Sequence, residues 1–242
     1  MVAVDRLGYR YLWVDSLCIV QDDDADMHSQ LLRMDAIYIN ASLSIAAASG
    51  GHADYGLPGM SVPRKFEQQR ERAQGLELAV PLPRFDELNV GDRLKWNTRA
   101  WTFQEKVLSR RLLIFTDQQI YFRCSNGVWS EDTATETTRL SKPDGRRFFR
   151  WGGDTLRHSY YSTDNAYTLV DFLNFGSHRL SRVDGRASFA NYAAVVEEYT
   201  QRTLTKEQDA LPAIAGVLHL LDPDPSAYVA GLPRCLAALV SK

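Results

Sequence analysis

The sequence predicts an α/β fold, a layered sheet with flanking helices, followed by a mostly helical C-terminal region. Three observations predict it. From Tyr9 to Cys124 the patterns run strand, helix, strand, then helix, strand, strand. Residues 99–109, RAWTFQEKVLS, have helical period and lead straight into the strand-like residues 110–116. Beyond Phe189 the apolar residues recur at helical spacing, at Tyr192, Val196 and Tyr199.

The composition bounds the function classes. With 242 residues, 45% of them apolar and 24% charged, and a mean hydropathy of -0.30, the chain is long enough to bury a substantial core and reads as globular. A net charge of -2 argues against a dedicated nucleic-acid module. No long uninterrupted apolar run is present, and the start, MVAVDRLGYR, lacks the basic and apolar blocks of a signal peptide. A cytoplasmic protein with no membrane attachment is expected. Cys18, Cys124 and Cys235 are odd in number and far apart, which fits reduced thiols.

In chain order, residues 2–8 read as the tail of a helix closed by Gly8. Residues 9–15, YRYLWVD, alternate as a strand, with Asp15 either at its ligand-collecting carboxyl end or capping a turn with Ser16. Residues 16–26 form a loop rich in aspartate. Asp22, Asp24 and Asp26 have the first spacings of a calcium loop, but Met27 and Arg33 stand where its glycine and glutamate belong. The acids fit a helix N-terminus instead, and Met27, Leu31, Met34 and Tyr38 give residues 25–40 an amphipathic period. Residues 42–48 form a short strand of small side chains. Residues 52–97, rich in proline, glycine and charge, form a variable loop in which only residues 76–82 resemble a strand.

After the helix at 99–109, residues 110–116 and 119–124 form a hairpin around Asp117 and Gln118. Residues 126–164 interleave arginines with Phe148, Phe149 and Trp151, a solvated loop with a hydrophobic anchor more than a nucleic-acid surface. Residues 165–175 read as a short helix. Thr205 and Gln208 make a capping box for a helix toward Leu221, with Pro212 in its first turns or bending it. Residues 227–240 are helix-like around Pro233. The C-terminal helices are expected to pack as an appendage, giving a division into residues 1–125 and 126–242.

The common nucleotide, hydrolase and zinc signatures are absent, and the five histidines lack ligand spacing with the cysteines, so no metal is expected. Attention falls on residues 99–109, where helical period sets Glu105 on one face with Trp101. Two readings stand. Glu105 is either an ordinary acid passing a core tryptophan to reach water, or a desolvated carboxyl with a raised pKa in a functional site.

Three segments together resemble the heterokaryon-incompatibility (HET) domain family of filamentous fungi. They are YLWVDSLCIVQDD at 11–23 with RMDAIYINASLSIAAAS at 33–49 and YGLPG at 55–59; RAWTFQEKVLSRRLLIFTDQQIYFRC at 99–124; and residues 192–218 followed by YVAGL at 228–232. The resemblance implies an N-terminally truncated HET domain over residues 1–125, because members carry an upstream strand motif, LSYxWG, and its helix. It also implies a role in fungal nonself recognition and programmed cell death, a form of innate immunity. The family in turn resembles TIR domains, some of which hydrolyse NAD with a glutamate four residues after a tryptophan in a W-C-x-x-E-L helix. Here Trp101 and Glu105 keep that spacing, with Thr102 in the cysteine position.

Two functions follow as expectations. One is a signalling module acting by self-association or by binding an incompatibility partner protein, with Glu105 structural. The other is a TIR-like NAD glycohydrolase, with NAD as substrate and no cofactor. In that case Glu105 is catalytic, Trp101 walls the site, Arg99 holds a phosphate, and Asp15, Cys18 and Gln21 line the neighbouring loop.

Overall fold

The computed structural model describes residues 2–124, 127–132, 140–141, 147–148, 182–183, 186–187, 189–221, 228–229 and 231–233. The expected basic and aromatic segment at 126–164 falls largely outside them, and the helix at 165–175 wholly so.

The fold is mixed α/β, built on a four-stranded sheet of order β1-β4-β5-β6. β1 is Ser44–Ala47, β4 Arg111–Phe115, β5 Ile120–Cys124 and β6 Gly127–Ser130. β1 and β4 are parallel, with Ser44 opposite Leu112, and the remaining pairs are antiparallel. The β4–β5 turn is closed by Thr116, whose hydroxyl donates to the Gln119 carbonyl at 2.7 Å and accepts from the Gln119 amide at 3.1 Å. A second antiparallel pair, β2 (Arg70–Ala73) and β3 (Leu76–Ala79), forms a separate hairpin.

Short helices flank the sheet: α1 (Val2–Arg6), α2 (Asp15–Cys18), α3 (Asp24–Leu31), α4 (Met34–Asn40), α5 (Phe85–Leu88) and α6 (Thr102–Leu108). Asp23 caps α3 by accepting from the amides of Ala25 and Asp26 at 2.9 and 3.1 Å. The helix expected over 25–40 is therefore two helices. The chain breaks at Arg33, whose ψ of 8° leaves the helical range.

Residues 9–15 do not form the expected strand. Among the described residues no ladder takes them up, Tyr11 is 85% exposed, and Asp15 begins α2 instead of ending a strand. Alternation gives strand propensity, but a strand persists only where its amides find a neighbour. β1, the nearest strand in sequence, pairs only with β4 among the described residues.

Two further helices, α7 (Phe189–Thr200) and α8 (Pro212–Leu221), are not an appendage. Their Val195, Ile214, Val217 and Leu221 share one buried core with Phe103, Val107 and Leu108 of α6. α8 comes so close that a Cβ on Gly216 would lie 2.4 Å from Asp35 Cβ and 2.5 Å from Gln104 Oε1. A second core lies on one sheet face, where Ala46, Leu112, Ile114 and Tyr121 meet Phe85, Leu94 and Trp96.

The capping box at Thr205 and Gln208 is replaced by a single 3-10 turn, Glu207–Asp209, and α8 starts at Pro212. A proline in the first position loses no intrahelical bond, so the helix begins there without a bend. The expected helix at 227–240 is also absent where described. Tyr228–Val229 and Leu232–Pro233 pair antiparallel, with Gly231 in the left-handed region at φ 81°.

Candidate functional site

α6 is short and is set by its anchors more than by caps. The Thr102 hydroxyl meets the carbonyls of Trp96 and Arg99, the latter at 2.7 Å, and so folds residues 96–99 back over the start of the helix. Gln104 donates to the Pro212 carbonyl at 2.7 Å, and Phe103 and Val107 face the core with α7 and α8. Glu105 is left on the opposite side.

Glu105 keeps part of its surface open to solvent but is closely surrounded by protein. Burial pushes its carboxyl up to about 7, and the charge of Asp15 adds to the shift. Trp96, Arg99 and Arg123 act in the opposite direction. Trp96 favours the charged form of the carboxyl, although its indole nitrogen makes no hydrogen bond of ordinary geometry. Tyr38 of α4 completes the group. Its phenol is held protonated, first by burial and then by the negative charges of Glu105 and Asp15.

Arg123 lies beneath this group on β5, fully enclosed, with one guanidinium nitrogen donating to the Lys106 carbonyl. Burial lowers it to about 10, while Glu105 supports its charge. The cluster thus joins an acid that titrates near neutrality to an exposed arginine, Arg99, and a buried one. Such a set can stabilise developing positive charge through Glu105, or exchange a proton there, while Arg99 is free to meet an anion.

The structure brings Arg99 and Asp15 within electrostatic reach of Glu105. Trp101 does not join them. Its indole N–H donates to Asp209 at 3.1 Å and its ring packs on the core shared with α7 and α8, so Trp96 takes the place next to the acid that helical period gave to Trp101. Gln21 spends its amide on the carbonyls of Ile19 and Asp15 at 2.9 and 3.3 Å, which ties down the loop after α2. Cys18 is an exposed thiol on α2. Among the described residues no group of three or more His, Cys, Asp or Glu could hold a metal ion, and no helix is long and apolar enough to cross a membrane.

Sequence reasoning missed Trp96, Tyr38 and Arg123 as neighbours of the acid. Trp96 sits in the segment set aside as variable. Arg123 did leave a signal, since strand alternation places it on the same face as the core residue Tyr121.

Residues 1–105 match the family model of the heterokaryon incompatibility protein, HET. Over these residues the chain is similar to the HET domain family. No curated protein and no solved structure matches the chain. The HET match takes in Asp15, Tyr38, Trp96, Arg99 and Glu105, and it ends on Glu105 itself. Arg123 lies outside it, as do α7 and α8, which share the buried core with α6.

Proposed function

We propose that this HET-domain chain acts in the cytoplasm as a signalling module of fungal nonself recognition, with programmed cell death as its output. It works by self-association or by engaging an incompatibility partner protein. The observation that carries this reading is the HET match over residues 1–105. Expression of the full chain from an inducible promoter in a filamentous fungus tests it. Growth arrest and dye uptake by dying cells, alone or with an incompatible tester strain, are expected, and unimpaired growth in both settings overturns the reading.

The ionisation state of Glu105 favours a second reading, a TIR-like glycohydrolase that divides NAD into nicotinamide and ADP-ribose. As the C–N bond to nicotinamide breaks, the ribose gains oxocarbenium character and nicotinamide departs with the bonding electrons. A charged Glu105 beside that carbon stabilises the transition state, and water then adds to the ribose and releases a proton. Arg99 would hold a phosphate. Because the carboxylate is the working form, NAD consumption should rise with pH through about 7. Glu105→Gln should remove it, by about a hundredfold or more by analogy with other electrostatic stabilisers. Equal turnover by the wild-type chain and the variant would exclude the role.

A further inference from the structure

The β2–β3 hairpin stands apart from both cores. All residues of its two strands are exposed, including Leu76 at 66% and Leu78 at 55%, and Val80 just beyond is 57% exposed. Among the described residues no third strand joins this hairpin; a lone two-stranded hairpin is marginal in water, and each of its edges then offers unpaired amides to another strand.

The register decides which edge is usable. Gln74 and Gly75 turn the chain with φ of 52° and 81°, the two-residue turn that matches strand twist, and the Val80 amide donates to the Gln69 carbonyl at 3.0 Å. Inward rungs therefore fall at the pairs 69–80, 71–78 and 73–76, and the amides of Arg70, Arg72, Glu77 and Ala79 point outward. If a second copy pairs antiparallel along β2 through both outward amides, Arg70 of one chain faces Arg72 of the other. Like charges close that edge.

The same construction on β3 sets Glu77 opposite the second copy's Ala79, Leu78 opposite its Leu78 and Leu76 opposite its Val80. No like charges meet. A slip of two residues in one direction sets Glu77 against Glu77, and in the other it brings Pro81, which has no amide hydrogen, into the ladder. One register remains. In it Glu77 and Ala79 of each copy exchange amide and carbonyl, while Leu76, Leu78 and Val80 of both copies line one face as a continuous apolar stripe.

We propose that β3 is a self-association edge, through which two copies of this chain join antiparallel about Leu78 into a four-stranded sheet. The proposal rests on the self-association reading, gives it a surface, and is independent of the chemistry at Glu105.

Sedimentation and light scattering of the full chain over a wide concentration range test it. The wild type should pass from monomer to dimer. Ala79→Pro removes an outward amide from β3 and should weaken the dimer about tenfold or more. Arg70→Pro makes the same change on the opposite edge and should leave it unaffected, with circular dichroism confirming that both variants fold. A wild type that stays monomeric throughout overturns this surface and the self-association reading together. A dimer that survives Ala79→Pro unchanged, or fails equally in Arg70→Pro, overturns the surface and leaves self-association standing.

Discussion

Glu105 ties the pH dependence of the fold to the chemistry of the site. Its folded-state pKa of about 7 lies above the ordinary value of 4.5, so between those limits the native state binds more protons than the unfolded chain. By linkage, stability then falls as pH rises from about 4.5 to about 7 and is insensitive to this group above that window. Chemical denaturation of the wild type should show this loss, of at most about 3 kcal/mol, and Glu105→Gln should flatten it. Trp96 modulates the same group. Its indole N–H favours the charged carboxylate, so Trp96→Phe should move the Glu105 titration upward. Carbon NMR of the labelled glutamate carboxyls reads that midpoint directly, and an unchanged or lower value would remove Trp96 from the site.

α6 is held by a buried ion network that its own sequence discloses only in part. Lys106 donates to Glu198 at 3.1 Å, and Arg202 donates to the same carboxylate at 2.9 Å while stacking on Phe103. Both cationic side chains are 1% exposed, so Glu198 offsets two desolvated charges at once. Glu198→Gln should cost about 2–3 kcal/mol in urea denaturation, and Lys106→Met less, because it removes a desolvated charge while Glu198 keeps Arg202 as its partner. Gly216→Ala sets a helix-propensity gain of about 1 kcal/mol against contact with Asp35 and Gln104, and overpacking of that severity costs about 1–3 kcal/mol. A lowered melting temperature is the expected result.

These helices also mark what could be read in advance. Helical period and the hairpin turn placed α6, β4 and β5 correctly, because those signals are local. Nothing local to Lys106 shows that it is buried. Its partner Glu198 is ninety-two residues away, and only the packing of α7 on α6 brings the two together. Trp101 failed in the same way. Period set it on the face of Glu105, while Asp209 and the distant core drew its ring elsewhere. For residues 9–15 alternation was a true local signal, and the missing element was a neighbouring strand.

The HET match and the physical core do not share a boundary. The match stops at Glu105, in the middle of α6, yet Phe103, Val107 and Leu108 share their buried core with α7 and α8, which lie beyond it. The loop bearing Arg99 is held in the same way. The amide of Ala100 donates to the Thr203 carbonyl at 2.9 Å, the amide of Thr203 donates to the Thr98 carbonyl at 2.7 Å, and Arg202 donates to the Arg99 carbonyl at 3.2 Å. A fragment of residues 1–132 keeps the sheet and every residue of the candidate site but loses these contacts. Each large apolar side chain so uncovered forfeits about 1.5–3 kcal/mol of burial, which over this cluster exceeds the margin by which a domain is stable. The fragment should therefore show strand and helix signals in the far ultraviolet, bind a hydrophobic dye and lack a near-ultraviolet tryptophan signal. Adding residues 189–221 back as a separate peptide should restore that signal. A fragment that melts cooperatively on its own would mean that the HET domain folds without its C-terminal helices, and that the position of Arg99 is set from within it.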